Sequence, residues 1–141
     1  MFYLSEVTEV FSSDKFEGAQ VMQWFFFEQY SYKPFIAISR FWYLTGKAEE
    51  YQEALQQKQA PDYGALGVRE QHLANHAFFT GDRSTIADIG LFTYTHVAGE
   101  GGVDLTRFPA IQSWINRVKN QPPYIKIYYT SRTLPSPFSV V

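Results

Sequence analysis

The sequence predicts an all-α domain of five or six helices. Apolar residues recur at spacings of three and four in successive segments, the periodicity of helices buried along one side. Helix-start residues stand just ahead of those segments, and Gly or Pro closes them. Strand-prone sequence is confined to Tyr-Ile-Lys-Ile-Tyr-Tyr at 124–129. A length of 141 residues fits one domain with a proper core.

Asp14 is an N-cap residue, and Glu17 follows three positions later, a box-like start signal. Phe16, Ala19, Met22, Phe26 and Tyr30 then mark one side of a helix, while Val21, Trp24, Phe25 and Phe27 fill its other faces. Such a helix is buried on more than one side. Pro34 should kink or break it, because proline removes an i→i−4 hydrogen bond and crowds the preceding turn. Gly46 ends the segment. Residues 48–75 are more polar, and Pro61 with Asp62 divides them into two helices or kinks one. Gly64 and Gly67 each weaken a helix there by roughly 1 kcal/mol.

Thr85 and Asp88 have the spacing of a capping box, in which the hydroxyl takes the N–H of Asp88 and the carboxylate reaches back to the N–H of Thr85. The helix that follows, 86–98, is uncharged apart from Asp88 and should be the most buried. Gly99-Glu100-Gly101-Gly102 stops it. Pro109 opens a last helix, where Ile111, Trp114, Ile115 and Val118 form an apolar stripe. Pro122-Pro123 terminates it.

Composition removes whole function classes. Aromatic residues make up 18% of the chain and the net charge is only −2, which excludes intrinsic disorder. Twelve basic and 14 acidic residues are interspersed, so no nucleic-acid stripe and no polybasic membrane patch is expected. No uncharged apolar stretch approaches the ~20 residues of a membrane span. The absence of cysteine removes disulfides, Cys-based zinc sites and thiol catalysis.

Few constellations could carry chemistry. His72 and His76 share a helix face at i, i+4, but no carboxylate completes a metalloprotease pattern, so no metal is expected. His96 is separated from Asp88 by eight residues, about 12 Å of helix, which argues against an acid–base pair. Gly99-Glu100-Gly101-Gly102 has neither form of phosphate-loop spacing. The aromatic run with Trp24, Phe27, Tyr30 and Arg40 reads either as core and interface or as the wall of an apolar ligand pocket.

Taken in order, these segments resemble one family. Gly81-Asp82-Arg83-Ser84-Thr85-Ile86-Ala87-Asp88 is similar to the N-capping-box segment of the glutathione S-transferase helical domain. Glu70-Gln71-His72-Leu73-Ala74 precedes it and Asp104-Leu105-Thr106-Arg107-Phe108-Pro109, with Trp114 and Arg117, follows it as in bacterial members. Phe16-Glu17-Gly18-Ala19-Gln20-Val21-Met22-Gln23-Trp24 looks like the first long helix of that domain. The resemblance covers about residues 2–125.

The resemblance implies a C-terminal, all-helical transferase domain over 12–125, a remnant of the preceding domain and its linker over 1–11, and a tail over 126–141. It also implies that the thioredoxin-like domain, which supplies the catalytic hydroxyl or thiol and binds glutathione, is missing. No catalytic residue and no cofactor can then be placed on this chain, and glutathione is the cosubstrate of the complete enzyme. Trp24, Phe27, Tyr30 and Arg40 are the residues it places toward a hydrophobic second substrate. A cytoplasmic homodimer, or a thioredoxin-like domain supplied in trans, is the implied setting for conjugation in detoxification. A non-catalytic ligand-binding or protein-interaction module is the alternative. Ser84 stands where the family usually has an apolar residue stapling onto Ile89, so that staple should be weak.

Overall fold

The computed structural model describes residues 14–122, with the side chains of 58–62 excepted. The remnant expected at 1–11 and the tail expected at 126–141 lie outside the described residues. Within them the chain is helical and contains no strand. Five α-helices follow in order: α1 Lys15–Phe27, α2 Lys33–Leu44, α3 Gln52–Leu73, α4 Ile86–Thr95 and α5 Pro109–Lys119.

Asp14 caps α1 by accepting the Glu17 N–H at 2.9 Å. Glu17 does not return the bond as a full box would; its carboxylate pairs with Arg83, at 3.1 Å, and ties the start of α1 to the turn before α4. The break attributed to Pro34 is taken upstream of it. A π-helical turn, Glu28–Tyr32, separates α1 from α2, and the Lys33 N–H bonds back to the Glu28 carbonyl. Pro34 then sits in the first turn of α2, where its missing N–H leaves no gap in the helix.

The structure decides two sequence expectations. Of the two outcomes open at Pro61, two helices or one, it shows one: residues 52–73 are a continuous helix. The packing of Leu55, Ala65, Leu66 and Leu73 on both sides of the proline outweighs its local penalty of about 3 kcal/mol. The helix expected over 86–98 ends at Thr95, and a 3₁₀ turn, Ala98–Gly101, follows. Gly102 closes that turn with a φ of 81°, and a Cβ there would come within 2.9 Å of the Tyr43 ring. The turn can therefore lie against α2 only with glycine at that position.

The core runs through all five helices: Val21 from α1, Ile36 from α2, Leu66 from α3, Leu91 from α4, and Ile111 and Trp114 from α5 are fully buried. Helices α1 and α4 approach closely at Gly90, where a Cβ would meet the Phe25 ring at 2.5 Å.

Candidate functional site

The best-built polar centre surrounds Asp88. Its carboxylate is inaccessible to solvent yet accepts three N–H groups: the backbone of Thr85 at 3.0 Å, the backbone of Phe79 at 3.2 Å and the indole of Trp114 at 2.8 Å. The Thr85 hydroxyl accepts the Ala87 N–H at 3.3 Å, so both halves of the capping box are present. Burial raises the Asp88 pKa, and the hydrogen bonds from Thr85, Trp114 and Phe79 oppose that rise. The carboxylate joins the start of α4, the preceding loop and α5. It works as a cross-brace, with no open space for a substrate.

A second brace carried no sequence signal. Glu70, on α3, accepts the N–H groups of Ala110 at 2.8 Å and Ile111 at 2.9 Å. It caps α5 from 40 residues away, in place of the local side-chain cap that Phe108 lacks. Arg117 donates to the Ala77 carbonyl at 3.0 Å and anchors the other end of α5.

The four residues assigned to a hydrophobic substrate do not converge. Trp24 and Phe27 meet edge to face, with ring centroids 5.6 Å apart. Trp24 also packs on His72 and on Phe79, so this pair is turned toward the core. Tyr30 is 85% exposed. Arg40, beyond the π-turn, pairs with Glu100 at 2.6 Å. A shallow depression of about 340 Å³ is lined by Glu50, Tyr51, Glu53, Ala54 and Gln57, and none of the four residues takes part in it.

What stands out on the surface is a set of exposed apolar side chains along α1, the π-turn and α2. Phe16 and Phe26 are exposed on α1, Tyr30 in the π-turn, and Ile38, Phe41, Tyr43 and Leu44 on α2. Ile89 on α4 is 45% exposed, as a missing staple partner at Ser84 leaves it.

The histidines are engaged within the fold. His72 and His76 stack at 4.2 Å, the His72 Nε2 bonds the Phe79 carbonyl at 3.1 Å, and His76 bonds the His72 carbonyl at 2.9 Å. Burial, and then the neighbouring His76, lower the His72 pKa. His96 stacks on Phe92 and bonds its carbonyl, at 2.7 Å, rather than pairing with Asp88. Among the described residues no group of three metal-ligating side chains occurs.

Comparison with known proteins agrees with this architecture. Residues 21–122 match the C-terminal domain of glutathione S-transferases. A solved glutathione S-transferase from Pseudomonas fluorescens Pf-5 is 42% identical and superposes with a TM-score of 0.85, over 88% of this chain and 62% of that one. The disulfide-bond oxidoreductase YfcG of Escherichia coli K12 is 25% identical over 124 residues, 86% of this chain and 57% of YfcG. Ure2p, solved in complex with glutathione, shares the fold at 21% identity with a TM-score of 0.70, over 80% of this chain and 56% of its own. The chain therefore belongs to the glutathione S-transferase family, through its helical C-terminal domain. It spans only 57% of the curated relative and 62% of the Pseudomonas structure. No helix among the described residues is long and apolar enough to cross a membrane.

Proposed function

We propose that this chain supplies the hydrophobic-substrate side of a glutathione S-transferase site, in a cytoplasmic dimer that conjugates glutathione to apolar electrophiles for detoxification. The observation that carries the reading is the set of exposed apolar side chains on α1, the π-turn and α2, Phe26, Tyr30, Ile38 and Phe41, within a domain of this family. An apolar surface of that kind marks a ligand or partner interface rather than a free face. Glutathione is the cosubstrate in this reading, held by a thioredoxin-like domain. Arg40 and Arg83 are not offered to its carboxylates, since Arg40 is paired with Glu100 and Arg83 with Glu17. Thiol activation needs a donor aimed at sulfur. Here the Thr85 hydroxyl is spent on a helix cap and Thr95 donates to the Leu91 carbonyl at 2.6 Å.

The same side chains favour one second reading, a non-catalytic module that binds a partner through them. Fluorescence quenching separates the two. Chlorodinitrobenzene should quench the tryptophan emission of the purified chain saturably, and Tyr30→Ser with Phe41→Ser should weaken that quenching at least threefold. Quenching that is linear in ligand and indifferent to both substitutions would remove the small-molecule reading.

A further inference from the structure

The end of α3 carries a ring stack that the proposed function leaves unused. His76, His72 and Phe79 lie nearly parallel: His72 is 4.2 Å from His76 at 6° and 5.8 Å from Phe79 at 2°. Trp24 of α1 closes the group, 4.8 Å from His72 and 4.6 Å from Phe79. His76 also works as a cap. The His72 carbonyl lies in the last turn of α3, where no further helical N–H follows, and His76 Nδ1 bonds it at 2.9 Å.

The hydrogen bonds fix where each ring gains a proton. A carbonyl only accepts, so the ring nitrogen facing it carries hydrogen. His72 Nε2 faces the Phe79 carbonyl at 3.1 Å, and His76 Nδ1 faces the His72 carbonyl. Nδ1 of His72 and Nε2 of His76 are left as the basic nitrogens. Their lone pairs lie in parallel ring planes, so they do not converge on one metal ion.

The other charges around the stack are committed elsewhere. Arg117 of α5 donates to the Ala77 carbonyl, and Asp88 of α4 accepts the Phe79 N–H. On α3 itself Arg69 donates to the Thr95 hydroxyl at 2.7 Å and Glu70 caps α5. From α1 the stack meets the uncharged Trp24 ring. Burial and then the charge of His76 lower the His72 pKa, while the carbonyls of Phe79 and Phe78 raise it.

We propose that His72 and His76 form a proton-operated latch at the C-terminal end of α3: the rings stay stacked while at most one is charged, and the second proton drives His76 off the helix end. His76 is exposed and sits at the negative end of the helix dipole, so it takes the first proton without leaving its carbonyl. Half-buried His72 takes the second, which sets two cations face to face at 4.2 Å. His76 then swings into water and uncaps α3. The latch stands whatever the domain binds.

Proton NMR of the imidazole C2–H signals follows both rings in the purified chain. His76 should titrate first, and its ring-current shift from the stack should persist through that step and collapse with the His72 titration. His76→Gln should raise the His72 midpoint by about 1 pH unit, the scale of one like charge removed near a surface. In His72→Phe, which keeps a ring to stack on but takes no proton, His76 should stay stacked throughout its titration. An unmoved His72 midpoint in His76→Gln means that burial alone keeps the proton off, and overturns the proposal. Loss of the stack at the first step, or in His72→Phe, overturns it as well, because one charge then suffices. Far-UV circular dichroism that holds through both midpoints supports a local release, whereas helix lost in step with His72 marks global unfolding and refutes the latch.

Discussion

Asp88→Ala should destabilise the fold by about 3–5 kcal/mol. The carboxylate accepts N–H groups from Thr85, Phe79 and Trp114 at 3.0, 3.2 and 2.8 Å, all of them buried. A buried donor left without a partner costs about 1–3 kcal/mol, so three give a gross loss of roughly 3–9. Relief of the buried charge and local relaxation offset part of it. Thr85→Ala removes the acceptor of the Ala87 N–H and the hydroxyl partner of buried Thr80, at 3.0 Å, and should cost about 1–2 kcal/mol. A cap alone would make the two variants equal; the cross-brace makes Asp88 the more expensive. Asp88→Asn should fall between them, since it keeps one acceptor oxygen and turns the other into a donor facing N–H groups. Urea unfolding followed by circular dichroism measures all three at a common m-value. Against a typical total of about 5–15 kcal/mol, the Asp88→Ala loss is easily resolved. Equal midpoints for Thr85→Ala and Asp88→Ala would refute the brace.

Glu70→Ala should cost about 1–2 kcal/mol and speed amide exchange at Ala110 and Ile111 specifically, because their N–H groups lose the only carboxylate that caps α5. The pH dependence should carry a His72 signature. Its folded pKa lies below the ordinary value of about 6.5, so its share of stability is complete above that pH. That share is lost as pH falls through the lowered folded pKa. His72→Gln should flatten the stability difference from wild type across that window, as read from thermal midpoints between pH 7 and pH 4.

Much of the fold is legible in the sequence because it is encoded locally. Asp14 and Thr85 announce helix starts through side-chain caps, and the Ile111, Trp114, Ile115 and Val118 stripe shows which side of α5 is buried. What escapes is decided at a distance. The continuity of α3 through Pro61 depends on neighbours that local propensity does not see. Nothing in its spacing marks Glu70 as a cap, and only the fold brings it to α5. Arg69 carries no signal in the sequence and lies in the core. The four residues given to a hydrophobic substrate share a stretch of sequence, but beyond the π-turn Arg40 pairs with Glu100, while Trp24 packs on His72 and Phe79 and Phe27 packs on Trp24. A π-turn has no simple residue signature, so nothing in the spacing reveals it.

The central claim is that this helical domain completes a site whose thiol chemistry comes from a thioredoxin-like domain. The most direct measurement is glutathione conjugation to a model electrophile by the purified chain, alone and joined to the part of the 42% identical Pseudomonas relative that this chain does not cover. Turnover at background alone and well above it when joined, with a KM that changes in Tyr30→Ser, is the result the account predicts. Turnover by the chain alone that survives purification and vanishes in Tyr30→Phe or Arg40→Ala would contradict it and make the helical domain itself catalytic.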